Sequence, residues 1–441
     1  MILGPPAPLD FIFHQTAISI TIRTGTQEKI YTESLLYVYE SFRNGDRRLL
    51  RGHSTRLPSS RALAHGLTMG WLRNFAAASV LALVPRVSGL LAFPGAEGFG
   101  RNAVGGRTGS VYHVTNLNDK GTGSFRDAVS QANRIVVFDV GGTINITDRV
   151  VVSKNIYIAG QTAPGGGITV YGNGLSWSNA NEAIVRYIRF RMGKSGDSGK
   201  DGITIADGKN MIFDHVSVTW GRDETFSING DVTNVTIQDS IIGQGLDTHS
   251  CGGLMQTDGG ISLFRNLYID NKTRNPKVKG VNDFQNNVVY NWGGGGGYIA
   301  GDSDGQSYAN IINNYFISGP TTSVTAFTRG NANFHGYVSN NFYDSNKNGV
   351  LDGTALCAAT TCYSAMDIVS AKFNYPGPTT LRSPQDAVTH VLAHAGTTFP
   401  SRDSVDRRLM PRRGRHRIPR AVHGTGPDEA HQCAEALEHL F

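Results

Sequence analysis

The sequence predicts an all-β protein built as a parallel β-helix, a solenoid of stacked coils. Three observations support this fold. Short runs rich in β-branched residues repeat between residues 150 and 345 at intervals of roughly 20–30 residues. Glycine, aspartate and serine, which favour turns, fill the gaps between these runs. Asparagine pairs also recur, so that Asn287, Asn314 and Asn341 follow one another at a spacing of 27 residues.

The asparagine spacing indicates the length of one coil. If one repeat is one coil, the three side chains lie above one another, and their amides can hydrogen-bond along the stack. A coil of this size cannot bury its own apolar face, and successive coils must therefore stack to form one core. A β-sandwich is the alternative, but it would show turns about every 8–12 residues and antiparallel hairpin signals.

The composition excludes several classes of protein. The chain has 441 residues, of which 54 are glycine and 17% are charged, without a collagen period or a long charge block. No apolar run in the main region approaches the roughly 20 residues of a membrane helix. The net charge of +6 arises in the two flanks, and residues 93–400 are close to neutral. We therefore expect neither a nucleic-acid partner nor a membrane partner.

The two flanks differ in composition from the middle of the chain. Residues 69–92 combine a short positive segment, an apolar stretch of about ten residues and small residues, as a secretory signal peptide does. A buried core helix is the alternative. We interpret residues 1–68 as a mis-called extension and expect the secreted chain to begin near Leu90 or Phe93. Residues 401–441 are rich in arginine, and we interpret them as a disordered tail or a gene-model error. A solvated basic tail that contacts an anionic polymer is the alternative.

A secreted protein can carry glycans and disulfides. Three asparagines begin an Asn-x-Thr glycosylation sequon: Asn145, Asn234 and Asn271. Cys357 and Cys362 are close enough in sequence to form a local disulfide in an oxidising compartment. Cys251 and Cys433 have no obvious partners, and no Cys-x-x-Cys pair with zinc-like spacing is present.

Five motifs carry a resemblance to a known family. They are FPGAEGFG (93–100), VTNLND (114–119), GQTAP (160–164), DHVSVTW (214–220) and RNPKVK (274–279). In this order they resemble the secreted fungal pectate lyases of polysaccharide lyase family 1, above all the fungal pectate lyase C group, over about residues 93–400. The resemblance implies a right-handed parallel β-helix and calcium dependence. It also implies eliminative cleavage of (1→4)-α-D-galacturonan, the de-esterified pectin of plant cell walls, to 4,5-unsaturated oligogalacturonates.

The implied reaction requires a base and positive charge. Elimination removes the C5 proton, which is α to a carboxylate, and expels the C4 glycosidic oxygen. Cations must neutralise the enolate-like anion, and a base must lie within hydrogen-bond reach of the proton. Arg274 occupies the position of the arginine that this family uses as base. Because arginine ordinarily keeps its proton, surrounding cations would be needed, and an alkaline activity optimum is expected. The alternative is a structural arginine on an outer turn.

The family motif ends in a second basic residue five positions after the arginine. That residue is Lys279 in this chain, with Lys277 beside it. A lysine ammonium is a point charge that can hold a uronate carboxylate, and we assign Lys279 to substrate binding. A solvated lysine without a role is the alternative.

The resemblance also implies acidic calcium ligands on strands near the cleft, since calcium prefers hard oxygen donors. Three residues are candidates: Asp201, Asp223 and Glu224. In well-known members a second acid follows four positions along, where this chain has Ser227 or Ile228. A substrate-binding lysine of those members also has no counterpart around Gln244. Each candidate acid could instead be a surface or turn residue. We interpret the Asp-His pair of the DHVSVTW motif mainly as architecture.

A second calcium signal lies after the predicted catalytic β-helix, which we place at residues 93–343. Residues 344–400 are predicted to form an EF-hand-like loop and a C-terminal cap. The loop has the early oxygen-ligand positions and the glycine of an EF-hand, but alanine replaces the usual glutamate at position 12. The candidate ligands are Asp344, Asn346, Asn348, Val350 and Asp352. An Asn/Gly-rich turn without metal is the alternative.

The main prediction is therefore a secreted, monomeric, calcium-dependent pectate lyase that binds polygalacturonate. A polygalacturonase would need paired carboxylates, for which Asp302 and Asp304 are candidates, but its usual Gly-His-Gly and Arg-Ile-Lys segments are absent. A pectin lyase would act on the methyl ester, whereas Arg274 and Lys279 favour an acidic substrate. A catalytically inactive β-helix that binds wall polysaccharide is the alternative outside the enzymes.

Overall fold

The computed structural model describes residues 14–24, 27–37, 89–246 and 249–410. The chain divides into two compact units, Met1–Val84 and Pro85–Phe441. In the first unit, β1 (His14–Thr24) and β2 (Gln27–Tyr37) pair antiparallel. The remainder of the predicted extension, residues 69–88 of the predicted signal segment and residues 411–441 lie outside the described residues.

The second unit is a parallel β-solenoid of about nine turns, which confirms the predicted fold. Its strands, in chain order, are β3 (Ser110–Val114), β4 (Arg134–Phe138), β5 (Gly142–Asn145), β6 (Val150–Val151), β7 (Ile156–Ala159), β8 (Ile168–Tyr171), β9 (Leu175–Ser176), β10 (Ile184–Arg186), β11 (Arg189–Arg191), β12 (Ile203–Asp214), β13 (Ser217–Thr219), β14 (Glu224–Gln238), β15 (Ile241–Gly243), β16 (Cys251–Phe264), β17 (Leu267–Ile269), β18 (Lys277–Gln285), β19 (Val288–Tyr290), β20 (Tyr298–Ala300), β21 (Ser307–Ile312), β22 (Tyr315–Ile317), β23 (Phe327–Thr328), β24 (Phe334–Ser339), β25 (Phe342–Asp344), β26 (Thr354–Ala355) and β27 (Asp367–Ile368). The helices are α1 (Phe125–Val129), α2 (Pro384–His394) and α3 (Ser404–Leu409), with a 3₁₀ turn at Gly160–Thr162.

Two sheets surround the interior of the solenoid. One has 15 strands, and the other, which contains β5, β8, β11 and their successors, has 10. The long strands β12, β14, β16 and β18 pair in two parts, because the register shifts within each of them. Their first parts also pair with the short strands β9 and β20. We call the outer surface of these first parts, together with β6, β9, β20 and β23, the site face.

The interior is filled by apolar side chains from successive coils. Along β14, Phe226 and Ile228 belong to the main core, while Ser227 between them faces outward and is a hydrogen-bond partner of Asp201. Aromatic rings interlock between coils, as in the edge-to-face contact of Phe213 with Phe226, whose ring centroids are 5.1 Å apart. Each buried ring removes a large apolar area from water, so the stacked coils share one continuous core.

The predicted asparagine stack is present. The Oδ1 atom of Asn314 accepts a hydrogen bond from the backbone N–H of Asn287 at 2.8 Å, and the Oδ1 atom of Asn341 accepts from the N–H of Asn314 at 3.0 Å. The Nδ2 atom of Asn314 donates to Phe284 O and to Asn341 Oδ1, both at 2.9 Å. Asn266 extends the stack by one coil. Each buried amide thus satisfies backbone groups that the bend between the sheets leaves unpaired.

Separate segments cover the two ends of the solenoid. At the first end, α1 buries Phe125, Ala128 and Val129 in the main core. At the other end, Tyr363 and Met366 enter the same core, next to the predicted disulfide between Cys357 and Cys362, whose Cα atoms are 5.9 Å apart. The cap predicted for residues 344–400 therefore occupies only the first part of that range.

The chain beyond this cap returns along the side of the solenoid. Helices α2 and α3 bury Val388, Val391 and Leu409 against the outer face of the 10-stranded sheet. On this face Arg191 donates to Asp403 at 2.7 Å and to Asp406 at 2.8 Å. Burial alone would raise the pKa of Asp403, but the hydrogen bond and charge of Arg191 outweigh it and lower the pKa to about 2.

These contacts correct the predicted boundary of the arginine-rich tail. Residues 401–410 are not a disordered segment, because α3 is anchored by buried ion pairs and by Leu409. The prediction missed them because the anchoring arginines lie more than 200 residues earlier in the sequence.

Replacing Asn314 by alanine should destabilise the fold. The change removes four buried hydrogen bonds, among them those to the carbonyl of Phe284 and from the N–H of Asn287, at a cost of about 3 kcal/mol. Urea unfolding of the full chain measures this loss. The exposed Asn374 serves as control, and Asn374→Ala should stay within about 0.5 kcal/mol of the parent. Equal stability of the two variants would contradict the structural role of the stack.

A second polar stack contains a buried acid. Asp270 Oδ1 accepts from the Nδ2 atom of Asn291 at 2.7 Å, while Oδ2 has no partner among the described residues. Burial raises the pKa of Asp270 to about 7, although hydrogen bonds from Asn291 and Gln244 oppose the shift. The unfolded chain releases this proton near its ordinary pKa of about 4. The folded state therefore binds more protons between about pH 4 and 7, and stability is lost as the pH rises through that window.

Asp270→Asn should remove this pH dependence. The parent is expected to lose on the order of 4 kcal/mol of unfolding free energy between pH 4 and 8 through this residue, and the amide variant should not. Urea unfolding at several pH values gives the difference between the two profiles. Asp258→Asn, at an exposed acid, is the matched control and should run parallel to the parent. A parallel profile for Asp270→Asn would refute the assignment.

Candidate active site

The candidate residues meet where the strands of the site face begin. Register pairs Glu224 with Cys251, and Cys251 forms a bridge with Thr273 in the next coil. Arg274 follows Thr273 directly, and Asp223 precedes Glu224. Stacking of three coils thus brings together residues that are 50 positions apart in the sequence.

Three carboxylates crowd this edge. Asp201 Oδ1 accepts from the backbone N–H of Glu224 at 3.2 Å, and its Oδ2 accepts from Thr204 at 2.8 Å. Burial raises the pKa of Asp201, and the nearby charge of Asp223 raises it further. Glu224 is buried, and the side chain of Asp223 is 26% exposed. Hard oxygen donors that repel one another fit a divalent cation such as calcium, whose charge would relieve the repulsion.

Arg274 lies against this acidic group. Its Nη1 donates to Glu224 Oε1, and its side chain is 34% exposed, so the guanidinium reaches both the acids and solvent. Its backbone φ of 57° is left-handed, which turns the chain sharply before β18. The buried end of Glu224 therefore fixes the position of a partly exposed guanidinium.

Two lysines continue the positive charge along β18. Lys277 and Lys279 are two residues apart on this strand and lie on its outer side, on either side of the core residue Val278. Lys279 Nζ donates to the carbonyl of Asp304 at 2.7 Å, while Lys277 Nζ is 3.1 Å from Asp302. Lys279 bonds there to a neutral carbonyl, so its charge is available to an anionic ligand. The predicted residues Arg274 and Lys279 thus lie on consecutive parts of one surface.

Comparison with known proteins identifies the family. No protein-family model matches the chain. Over 332 residues the chain is 71% identical to the probable pectate lyase C of Aspergillus fumigatus, covering 75% of this chain and 79% of that protein. It is 68% identical over 335 residues to the probable pectate lyase C of Emericella nidulans, covering 75% and 78%. The chain belongs to the pectate lyase C family. The predicted resemblance and the predicted pectate lyase activity are confirmed.

Solved structures share the fold of the lyase. The major cedar pollen allergen Jun a 1 aligns with a TM-score of 0.52 at 17% identity, covering 69% of this chain and 93% of the allergen. A pectate lyase bound to a hexasaccharide aligns with a TM-score of 0.50 at 16% identity, covering 71% and 99%. These similarities show the β-helix alone, because the identities are low.

Two residues of the lyase site were not predicted. His249 Nδ1 lies 2.8 Å from Asp223 Oδ1, and the thiol of Cys251 is buried beside Glu224. Burial raises the pKa of Cys251 to about 12, and the charges of Asp223 and Asp201 act in the same direction. The spacing of 27 residues between Glu224 and Cys251 equals that of the asparagine stack and could have indicated their contact.

One of the two acids of the polygalacturonase alternative, Asp302, has other partners. Asp302 is 3.1 Å from Lys277 and 3.3 Å from Arg329. Partial burial raises the pKa of Asp302, but the hydrogen bonds and charges of these two residues outweigh it and hold the pKa below its ordinary value. A general acid needs the opposite shift, so Asp302 does not suit the proton-donating role in hydrolysis.

The EF-hand-like loop follows β25 and holds itself together. Asn346 and Asn348 donate through Nδ2 to the two carboxylate oxygens of Asp352 at 2.8 and 3.0 Å. The backbone N–H of Val350 donates to Asn348 Oδ1 at 2.7 Å, and that of Asp352 donates to Asp344 Oδ2 at 3.3 Å. The predicted ligand residues therefore lie in one loop, and their side-chain oxygens accept hydrogen bonds from other groups of the same loop.

The Asp-His pair of the DHVSVTW motif forms part of a buried charge network. Asp214 accepts from Arg186 Nε and from Gln238 Nε2, each at 2.8 Å. His215 stacks on Tyr187 with ring centroids 4.8 Å apart. The next coil repeats the pattern, with Asp239 bound to Arg265.

One predicted glycosylation site is incompatible with the fold. Asn271 is fully buried, its Oδ1 accepts from the N–H of Gly245 at 2.9 Å, and its Nδ2 donates to Ile242 O at 3.1 Å. A glycan on this nitrogen would displace the neighbouring coil, so the prediction at Asn271 is corrected. Asn145 and Asn234 are exposed.

Glycan mapping of the lyase after expression through a fungal secretory pathway should reflect this difference. We expect modification at Asn145 and Asn234 and none at Asn271, because only the first two amides are accessible. Enzymatic deglycosylation in heavy-oxygen water, followed by peptide mass spectrometry, marks each occupied asparagine. The Asn271 peptide provides the internal control, and its labelling would contradict the packing described for that coil.

Proposed function

We propose that the lyase cleaves de-esterified (1→4)-α-D-galacturonan by calcium-dependent β-elimination, with Arg274 as the base. The observation that supports this proposal is the convergence of Arg274 with acids at one edge of the site face. Arg274 donates to Glu224, and carboxylate oxygens of Glu224 and Asp223 lie within 4.8 Å of each other. Asp201 accepts a hydrogen bond from the backbone N–H of Glu224. A bound calcium ion would supply positive charge to the uronate carboxylate and so acidify the C5 proton. These three acids would hold it.

Glu224 connects the two parts of the proposed site. It accepts a hydrogen bond from Arg274, and it is also one of the acids proposed as cation ligands. Glu224 would share its carboxylate between Arg274 and a bound cation. Arg274 would then be free to face the substrate and take the C5 proton within hydrogen-bond reach.

Lys279 is proposed to bind a uronate carboxylate beside the reacting sugar. Its ammonium is exposed and lies two residues beyond Lys277 on the same outer side of β18. An extended anionic polymer along the site face would meet Arg274 and Lys279 in succession. The solved pectate lyase bound to a hexasaccharide supports a polysaccharide partner.

The remaining predictions extend this proposal. We infer a secreted monomer with glycans at Asn145 and Asn234. Among the residues that the structure describes, no helix is long and apolar enough to cross a membrane. The loop with Asp344, Asn346, Asn348, Val350 and Asp352 is proposed as a second, weaker calcium site, because an ion there must replace the internal hydrogen bonds without a bidentate acid at position 355.

The product and the cation requirement test the proposal together. Full-length secreted protein acting on polygalacturonate should generate near-ultraviolet absorbance of the unsaturated product, and a chelator should abolish it. Arg274→Ala should lower the rate at least about 100-fold, because removal of a positioned general base typically costs that much. Both effects are read from initial rates with calcium restored.

Arg408→Ala is the matched control, since Arg408 is an exposed arginine of α3, which packs against the 10-stranded sheet. It should retain the parental rate. Product formation that persists in the chelator would refute calcium dependence, and parental activity of Arg274→Ala would refute the assignment of the base. Faster cleavage of methyl-esterified pectin than of polygalacturonate would instead indicate a pectin lyase.

A further inference from the structure

The turn that carries Arg274 is held from one side by two glycines of the preceding coil. The N–H of Gly252 donates to Thr273 O at 2.9 Å, and the N–H of Gly253 donates to Arg274 O at 2.6 Å. A Cβ atom at Gly252 would lie 2.7 Å from the carbonyl oxygen of Arg274. The backbone of the turn therefore approaches this coil more closely than a residue larger than glycine at position 252 would allow.

A run of five glycines, 293–297, holds the turn from the opposite side. The N–H of Gly295 donates to the carbonyl of Lys272 at 3.2 Å, and Gly297 accepts from the N–H of Asn275 at 2.8 Å. Arg274 thus lies in a short segment whose backbone is hydrogen-bonded to the coils on both sides. The position of this segment is set by how closely those coils can approach.

Neighbouring glycines of this run differ in the space around them. A Cβ atom at Gly295 would lie 2.3 Å from the Cβ of Thr273 and 2.5 Å from its Oγ1, distances that side chains do not adopt. A Cβ atom at Gly294 would meet only the hydroxyl of Ser323, at 3.1 Å, and Gly294 is exposed. Neither residue has a left-handed φ, so the two glycines differ only in the space available for a side chain.

We propose that Gly295 is a positioning residue for Arg274, acting through its contact with Thr273. This inference rests on the proposed role of Arg274 as base. A side chain at position 295 must push Thr273 away, and Arg274 is joined to Thr273 by one peptide bond. A shift of about 1 Å in a reacting group can cost up to about 100-fold in rate, whereas binding of the polymer by Lys279 would be little affected.

Steady-state kinetics of two alanine variants of the full chain test this inference. Gly295→Ala should lower kcat at least tenfold with KM for polygalacturonate within about twofold, while Gly294→Ala should match the parent. Both changes reduce the flexibility of the unfolded chain equally, so thermal unfolding of the pair isolates the local clash. Equal kcat values for Gly295→Ala and Gly294→Ala would overturn the proposal.

A double-mutant comparison separates this inference from the proposed function. Arg274→Lys is expected to retain a low, measurable rate, and adding Gly295→Ala to it should lower that rate far less than it lowers the parental rate. The same fold loss in both backgrounds would show that Gly295 acts independently of Arg274, and would overturn the proposal. Parental activity of Arg274→Lys and Arg274→Ala would refute the base itself, whatever Gly295→Ala does.

A second variant covers the case in which Gly295→Ala does not fold. Thr273→Ala removes the hydroxyl group that faces Gly295, together with the methyl group, and creates no clash. It should lower kcat severalfold, with little change in KM, because the turn is then packed loosely. An unchanged kcat for Thr273→Ala would overturn the proposal.

Discussion

Parallel, in-register hydrogen bonding between successive coils is the constraint on which the rest of the lyase depends. Each coil satisfies its backbone only through the coils before and after it, so a residue's neighbours are those one repeat away. Register therefore decides which side chains meet: Glu224 meets Cys251, and Cys251 meets Thr273 beside Arg274. The candidate site is a consequence of stacking, since no single coil contains both the acids and Arg274, the proposed base.

The same stacking forces polar groups into buried positions at every bend. The asparagines meet this demand with neutral amides that bond to backbone groups above and below. Charged side chains are buried as well: Arg191 pairs with the carboxylates of Asp403 and Asp406 in the returning segment. A buried ion pair adds little net stability, but the loss of one partner is costly. Such pairs therefore specify where the returning segment binds more than how strongly it binds.

The parts of the fold that could be predicted are those with a local or periodic signal. The spacing of Asn287, Asn314 and Asn341 predicted the coil length, because stacked residues must recur once per coil. The return of α2 and α3 had no such signal, since Arg191 and Asp403 are 212 residues apart and pair through tertiary structure alone. Arg274 and Lys279 were found through a motif of the family. His249 was missed because it lies between β15 and β16, where no periodic signal indicates the neighbours of a side chain.

The missing second acid of the site also follows from strand alternation. Ile228, four residues after Glu224, is fully buried in the main core, where a carboxylate would have to lose its hydration without a partner. The outward residue beside it is Ser227, a hydrogen-bond partner of Asp201. Burial therefore excludes an acid at position 228. At position 227 the hydroxyl of Ser227 is hydrogen-bonded to Asp201, a proposed calcium ligand. The proposed calcium site then relies on Asp201, Asp223 and Glu224, and of these only Glu224 also contacts Arg274. A cation held by Glu224 would therefore act directly on Arg274, so the proposal predicts that cation binding and catalysis are coupled through this one carboxylate.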